Sequence, residues 1–257
     1  MNLSKISVCL VLAQLLVSSF CFAESDVKPK YGPATNSIAV PLSKDNSYFA
    51  SSKNAGVDFY RLISFYVPQV NAYACSAAAV SAVINAAKAV EPKTSEDMVI
   101  SQQMLLDKVK AEHWAERLSK PGFDGKHGTD LGTFGSVVRA TFAEYGFKKV
   151  ETRVLHVNGD AKSIAEVEKI LIANEKSGDD YVMANFNQQV YTDDADAGHI
   201  APVGAYDAKR KRVLILDPDR EYFEPYWVSL ENFVKGMATI DKGASKPRGL
   251  VYVKVLK

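Results

Sequence analysis

CSAAAVSAVINAAKAV, residues 75–90, decides the fold of this chain. Its alanines and the spacing of its apolar residues are typical of an α-helix that is buried on most sides. Farther along the chain the periodicity changes to short β-rich runs separated by turn residues. These runs are residues 181–186, 199–206, 212–216 and 249–255. Helices followed by antiparallel strands predict an α+β fold, with a cleft between the helical part and the sheet.

Capping residues predict further helices in and after the helical part. Ser95, followed by acidic residues, indicates a second helix that runs to about residue 118. Thr129 or Asp130 can cap a helix over residues 131–145, and Asp160 can cap another that ends near residue 176. No internal repeat interrupts this order, and a length of 257 residues allows one large domain or two small ones.

The first 23 residues have the pattern of a secretory signal peptide. Lys5 precedes an apolar run of about 15 residues, which is shorter than the roughly 20 residues that a membrane-spanning helix needs. Cys21 and Ala23 stand at the small −3 and −1 positions of a cleavage site. We therefore expect cleavage after Ala23, a periplasmic or secreted protein, and a mature form without a membrane anchor. A retained anchor and a lipid anchor on Cys21 are the alternatives.

The composition limits the classes of partner. The chain has 257 residues, of which 47% are hydrophobic and 24% charged, as in ordinary soluble domains. Its 31 basic and 30 acidic residues leave a net charge of +1. A balanced charge argues against a nucleic-acid partner and against binding to an anionic membrane.

Three cysteines are too few for a disulfide scaffold, and their positions carry the information. Cys9 and Cys21 lie in the predicted signal peptide, so cleavage leaves Cys75 as the single thiol. A lone buried cysteine is often an inert small hydrophobe. Cys75, however, stands at the start of the predicted helix 75–90, where the helix dipole and unpaired amide groups favour the thiolate.

His199 and Asp217 complete a candidate catalytic set with Cys75. His199 begins one predicted strand and Asp217 ends the next, so a hairpin would make them neighbours. Gln69, six residues before Cys75, is placed to help the Cys75 backbone N–H stabilise an oxyanion, a contribution of about 3 kcal/mol per donor. Singly, these are a surface glutamine, a core histidine and a turn aspartate; together they predict nucleophilic catalysis. The remaining histidines have no metal-ligand spacing, so we predict no metal site.

Four stretches carry a resemblance to the phytochelatin synthases, a papain-like family of cysteine enzymes. They are FYRLISFYVPQVNAYAC (residues 59–75), SAAAVSAVINAA (76–87), GTDLGTFGSVVR (128–139) and GHIAPVGAYDAKRKRVLILDPDREYFEPYW (198–227). The resemblance covers about residues 51–237. It implies a papain-like catalytic domain over residues 53–257, with its cleft between helices and sheet. Residues 24–52 are rich in Ser, Asn, Pro and Lys, and this composition predicts an extended N-terminal arm.

The resemblance also implies a reaction and a role for each site residue. It makes Cys75 the nucleophile, His199 the acid–base, Asp217 its orienting partner, Gln69 the oxyanion donor and Arg220 a substrate-binding residue. Attack on the Cys–Gly bond of glutathione would release glycine and leave γ-glutamylcysteine as a thioester on Cys75. Water would then hydrolyse this thioester, or a second glutathione would accept the γ-glutamylcysteinyl group. The family implies no required cofactor, and a cadmium or zinc complex of glutathione is an alternative form of the substrate. The oligomeric state stays open, with a homodimer among the alternatives.

Departures from the family pattern favour hydrolysis over chain building. The plant enzymes continue into a cysteine-rich region, whereas this chain stops soon after the catalytic half, as in short bacterial members that mainly hydrolyse glutathione. Ser76 replaces a glycine that is common after the nucleophile, and Gln188 and Gln189 stand where basic residues are usual. We expect weak or absent phytochelatin synthesis. A papain-like peptidase that cleaves ordinary peptides and a non-catalytic stress or binding protein with an inert Cys75 are the rival hypotheses.

Overall fold

A computed structural model describes residues 36–51, 56–89 and 94–256. Nine strands lie in this part of the chain: β1 (Val40–Pro41), β2 (Val150–His156), β3 (Asp180–Asn187), β4 (Gly198–Asp207), β5 (Arg212–Ile215), β6 (Tyr226–Ser229), β7 (Ile240–Asp241), β8 (Lys246–Pro247) and β9 (Gly249–Val255). Seven of them form one antiparallel sheet in the order β1-β6-β5-β4-β3-β9-β2, and β7 pairs with β8.

The same residues form nine α-helices and two short 3₁₀ segments. The helices are α1 (Ser47–Ser51), α2 (Val57–Leu62), α3 (Cys75–Lys88), α4 (Gln102–Lys108), α5 (Trp114–Arg117), α6 (Leu131–Glu144), α7 (Ala161–Glu175), α8 (Gln188–Thr192) and α9 (Leu230–Met237). The 3₁₀ segments are Ile63–Phe65 and Ala111–His113. The predicted α+β class is confirmed.

Helices cover both faces of the sheet. On one face, α3 and α6 form a core around Val83 and Phe134, which reaches Met183 of β3. On the other face, α7 and α9 form a second core around Leu171 and Phe233. Every residue of β3 is buried because this strand lies in the middle of the sheet with helices on both sides.

Helix α3 confirms the predicted buried helix, and polar residues on it are hydrogen-bonded. Ser81 Oγ donates to the carbonyl of Ile100 at 2.7 Å, and Asn85 exchanges two hydrogen bonds with the backbone of Ile100. These contacts fasten α3 to the segment that precedes α4. Since buried polar groups without partners are costly, they also explain how a helix with serine and asparagine tolerates burial on nearly all sides.

The single helix predicted from Ser95 to residue 118 is wrong. The side chain of Asp97 accepts hydrogen bonds from Thr94 and closes a local turn there, instead of supporting the first turn of a helix. Ser101 is the cap that starts α4. After α4 the chain turns at Glu112, whose φ of 57° is incompatible with a continuous helix. The predicted caps Asp130 and Asp160 do cap α6 and α7.

Residues 36–51 pack on the body of the protein. β1 extends the sheet beside β6, and Asp45 forms a 2.5 Å ion pair with Arg212 of β5. The predicted signal peptide and the rest of the predicted arm up to residue 35 lie outside the described residues. Within the described ranges no helix is long and apolar enough to cross a bilayer.

Candidate active site

Cys75 is the first residue of α3, and the segment before it is held from two sides. The backbone N–H of Gln69 donates to the carbonyl of Pro218 at 2.9 Å. The side chain of Gln102 on α4 bonds the backbone of Pro68 and Val70. These hydrogen bonds from two different parts of the chain fix the backbone that leads into Cys75. Only 8% of the Cys75 surface is exposed.

The hairpin of β4 and β5 brings His199 beside Asp217. The register of the two strands shifts between Ala205 and Val203. Beyond this shift Val203 pairs with Ile215 and the backbone N–H of Leu216 donates to Pro202, so the pairing continues toward the site. Nε2 of His199 lies 2.7 Å from Oδ1 of Asp217. Both side chains are buried.

Asp217 is held as an anion by several donors. The N–H of Asp219 donates to Oδ1 at 2.9 Å and the hydroxyl of Tyr226 donates to Oδ2 at 2.8 Å, while Tyr66 donates to the Asp217 carbonyl. Burial opposes ionisation, but the charge and hydrogen bond of His199, together with these donors to the carboxylate, outweigh it. They hold the pKa of Asp217 below its usual value. Its orientation and charge are thus both fixed.

His199 is the group that joins Asp217 to the thiol. A carboxylate only accepts hydrogen bonds, so Nε2 carries a proton and Nδ1 is the nitrogen left to exchange a proton with another group. Burial disfavours the imidazolium, but the charge and hydrogen bond of Asp217 and the hydrogen-bonded Cys75 side chain outweigh burial and raise the pKa of His199 well above its usual value. A proton can therefore be shared between Cys75 and His199 while Asp217 fixes the tautomer.

Gln69 and Arg220 lie on the His199 side of the site. Both border a cavity of about 280 Å³ that His199 also lines. The guanidinium of Arg220 lies 4.6 Å above the ring centre of Tyr66. Oε1 of Gln69 and Nε of Arg220 are buried, and neither atom has a hydrogen-bond partner among the described residues.

Sequence reasoning missed Arg248, which lies in a second cavity of about 490 Å³ that Cys75 lines. Arg248 is 8% exposed and donates to Thr239 and Ile240, but its Nε has no partner in the part of the chain that the structure describes. Gly198 makes room for it, since a Cβ there would lie 3.2 Å from Nη2 of Arg248. A lone arginine between a proline and a glycine has no motif that would have pointed to the site.

Carboxylates line the same cavity. Asp241 lies 4.0 Å from Arg248, and Asp196 forms a 3.2 Å ion pair with Lys242. The cavity beside Cys75 therefore offers both signs of charge. In the described ranges no group of three or more His, Cys, Asp or Glu side chains is arranged to hold a metal ion.

Ser76 is accommodated by a contact inside the helical core. Its hydroxyl accepts a 2.9 Å hydrogen bond from the indole N–H of Trp114, and both side chains are buried. The serine that follows Cys75 therefore ties the start of α3 to α5.

A buried thiol at a helix N-terminus, an imidazole in contact with it and an oriented carboxylate form the arrangement that acyl-transfer enzymes with a cysteine nucleophile use. The sequence model of the phytochelatin synthase family matches residues 33–250, and the chain belongs to this family. The sequence resemblance noted above is thereby confirmed.

Individual relatives are similar over lengths that range from most of this chain to about a fifth of it. Glutathione gamma-glutamylcysteinyltransferase 1 of Lotus japonicus is 24% identical over 231 residues, 86% of this chain and 41% of the relative. The enzyme of the same name from Arabidopsis thaliana is 26% identical over 206 residues, 79% of this chain and 38% of the relative. A glutathione gamma-glutamylcysteinyltransferase of Schizosaccharomyces pombe is 39% identical over 57 residues, 22% of this chain and 14% of the relative. The chain spans less than half the length of these relatives.

Proposed function

We propose that this chain cleaves glutathione at its Cys–Gly bond through a thioester on Cys75. The observation that carries the proposal is the buried His199–Asp217 pair in contact with a thiol at a helix N-terminus. The thiolate attacks the carbonyl carbon, the C–N bond breaks, and the proton on Nδ1 of His199 passes to the departing glycine nitrogen. Water then gives a proton to Nδ1 of His199 as its oxygen attacks the thioester carbon. The C–S bond breaks, γ-glutamylcysteine leaves, and His199 returns that proton to the sulfur.

Glutathione is the proposed substrate because of the charges beside Cys75. A γ-glutamyl group ends in one ammonium and one carboxylate, whereas an ordinary peptide chain has neither at this position. Arg248 offers a buried cation, and Asp241 and Asp196 offer anions, in the cavity that Cys75 lines. The names of the relatives support the same substrate. This charge pattern argues for glutathione over the rival hypothesis of a peptidase for ordinary peptides.

Gln69 and Arg220 have proposed roles in the same reaction. The Gln69 side-chain amide and the Cys75 backbone N–H would stabilise the oxyanion, a contribution of about 3 kcal/mol for one donor. Arg220 would bind substrate from the His199 side. A papain-like arrangement, with the thiol on a helix and the imidazole on the sheet, is part of this proposal and is supported by the positions of α3 and β4.

Water is the proposed main acceptor, with little phytochelatin synthesis. The cavity on the His199 side has about 280 Å³, near the lower end of ligand pockets at about 300–1,000 Å³. Such a space favours a small leaving group and water over a second tripeptide. A metal–glutathione thiolate is a proposed alternative form of the substrate, and no cofactor is invoked.

Mass spectrometry of the protein mixed with glutathione tests the proposed function. We expect a γ-glutamylcysteinyl adduct on Cys75, together with free glycine, and neither product with Cys75→Ala. A Cys75→Ala protein that releases glycine at the wild-type rate would overturn the mechanism. Cleavage of an unmodified peptide panel in preference to glutathione would instead establish the peptidase.

Export after cleavage at Ala23 is a separate proposal, supported by the composition of residues 1–23. N-terminal sequencing of the protein purified from the periplasm or medium should begin at Glu24. A full-length chain that stays in the cytoplasm would contradict it.

A further inference from the structure

Several side chains that line the cavity on the His199 side carry buried polar atoms without a hydrogen-bond partner among the described residues. Three buried side-chain atoms around it lack a partner among the described residues: Gln69 Oε1, Gln188 Nε2 and Arg220 Nε. A buried polar atom without a partner costs about 1–3 kcal/mol, and such atoms are rare in folded proteins. Three of them on side chains that line one cavity point to a ligand that supplies the missing partners.

The chemistry assigns this cavity to the leaving group. In the proposed reaction the acyl part becomes bound to Cys75, so it must lie in the cavity that Cys75 lines. The departing nitrogen takes its proton from His199, so the leaving group must lie next to this imidazole. His199 lines the smaller cavity with Gln69, Gln188 and Arg220.

The three atoms complement an amino acid with a free carboxylate. Gln188 Nε2 and Arg220 Nε are donors, which a carboxylate can accept, and Gln69 Oε1 is an acceptor, which an amine can serve. Asp219 and Glu221 also border the cavity, but Asp219 is half-buried and Glu221 is exposed to solvent. The buried donors on the side chains that line the cavity therefore match the departing glycine.

Gln188 is held in place by its surroundings. Its backbone N–H donates to Ala197 at 3.0 Å, and its carbonyl accepts from the hydroxyl of Thr192 at 3.0 Å. Asn187, just before it, caps α8 and bonds Asp196. The side chain is 5% exposed, so the amide is fixed before any ligand arrives.

We propose that Gln188, with Arg220, binds the free carboxylate of the glycine that leaves and so makes the enzyme specific for a substrate with an unblocked C-terminus. This inference rests on the proposed function, because it assigns a specificity-determining residue within the same reaction. The free carboxylate, rather than glycine as a residue type, is the recognised feature.

The test compares glutathione with its glycine ethyl ester, which lacks the negative charge at this position. Formation of γ-glutamylcysteine is measured by mass spectrometry for the wild type, Gln188→Ala, Gln188→Glu and Gln189→Ala. Gln189 is the matched control, because it is the adjacent residue of α8 and its side chain is exposed. Gln188→Glu has nearly the wild-type shape, so it separates charge from packing.

We expect the wild type to prefer glutathione over the ester by about tenfold or more in kcat/KM, the effect of losing a hydrogen bond to a charged group. Gln188→Ala should lower kcat/KM for glutathione by about the same factor and leave the ester within about twofold. Gln188→Glu should favour the ester, and Gln189→Ala should match the wild type.

Equal cleavage of both compounds by the wild type would overturn the subsite while leaving the proposed function intact. An equal loss on both compounds in the Gln188 variants would also overturn it, since that pattern indicates a structural role or a bound water. A wild-type protein that cleaves neither compound would overturn the proposed function, and the subsite with it.

Discussion

His199 Nε2 and Asp217 Oδ1 lie 2.7 Å apart in the interior of the protein, although 17 residues separate them in sequence. Their meeting depends on the register of β4 and β5. Because the carboxylate accepts further donors and cannot turn away, the imidazole presents one nitrogen, Nδ1, to Cys75. The protonation state and direction of the base are therefore set by the fold.

Asp217→Asn should lower kcat by about 10²–10⁴, since an amide can stabilise the wrong tautomer of the imidazole. Removing the carboxylate also lowers the pKa of His199, because Asp217 is what raises it. The basic limb of the kcat/KM profile should move to lower pH. Glycine release measured between pH 6 and 10 checks both effects. Asp193→Asn, at an exposed position, should keep the wild-type profile, and a wild-type rate in Asp217→Asn would refute the assigned role.

Tyr226→Phe should reduce kcat by about tenfold, the effect of one hydrogen bond to a charged group. The hydroxyl helps to hold the pKa of Asp217 low, so its loss raises that pKa and moves the acid limb of the rate profile to higher pH. Tyr252→Phe is the matched control, because its hydroxyl donates to Asp180 over the same 2.8 Å but outside the site. If both variants shift the profile alike, Tyr226 has no special part in positioning Asp217.

Arg248→Gln should raise KM for glutathione by about 10- to 100-fold with a smaller change in kcat, as expected when ground-state binding is lost. Steady-state kinetics of glycine release provide the measurement. Lys242→Gln serves as the control, since Lys242 lines the same cavity but its side chain is 88% exposed and its ion pair is worth little. An unchanged KM in Arg248→Gln would remove Arg248 from the substrate site.

Asp58→Asn should stabilise the protein at neutral pH by about 1–2 kcal/mol. Burial, with the charges of Asp180 and Glu175, raises the pKa of Asp58 well above 3.8. A raised pKa gives stability that is present below the unfolded value of about 3.8 and is lost as the pH rises through the folded value. The advantage of the amide should therefore vanish near pH 3. Denaturant unfolding at pH 3 and pH 7 is the measurement, with exposed Asp107→Asn as the neutral comparison. A destabilised Asp58→Asn at pH 7 would contradict this account.

The parts of the fold that depend on local signals follow from the sequence. Apolar spacing is enough to predict α3, and an aspartate directly before a predicted helix is enough to predict the starts of α6 and α7. The same reasoning fails between residues 95 and 118. There Ser95 and Ser101 are both acceptable caps, and the choice depends on the contact of Ile100 with α3, which local preference does not contain.

In the candidate site, too, some residues follow from local sequence signals and others depend on tertiary packing. Cys75, His199 and Asp217 stand at ends of predictable elements, so a hairpin argument can place two of them together. Gln188 directly follows β3 and Arg248 directly precedes β9. The pairing of β3 with β4 and β9 places both residues at the site, and neither belongs to a recognisable sequence pattern. Which of many polar residues faces a cavity is decided by tertiary packing.

The position of β9 in the sheet affects how the protein folds during its synthesis. β9 lies between β3 and β2, so β2 finds its neighbour only after residues 249–255 have left the ribosome. Arg248 immediately precedes that strand and arrives equally late. A nascent chain that already contains Cys75, His199 and Asp217 therefore lacks one wall of its cavity. Assembly must wait for translation of these residues, and we expect catalytic competence to be acquired only after they have been made.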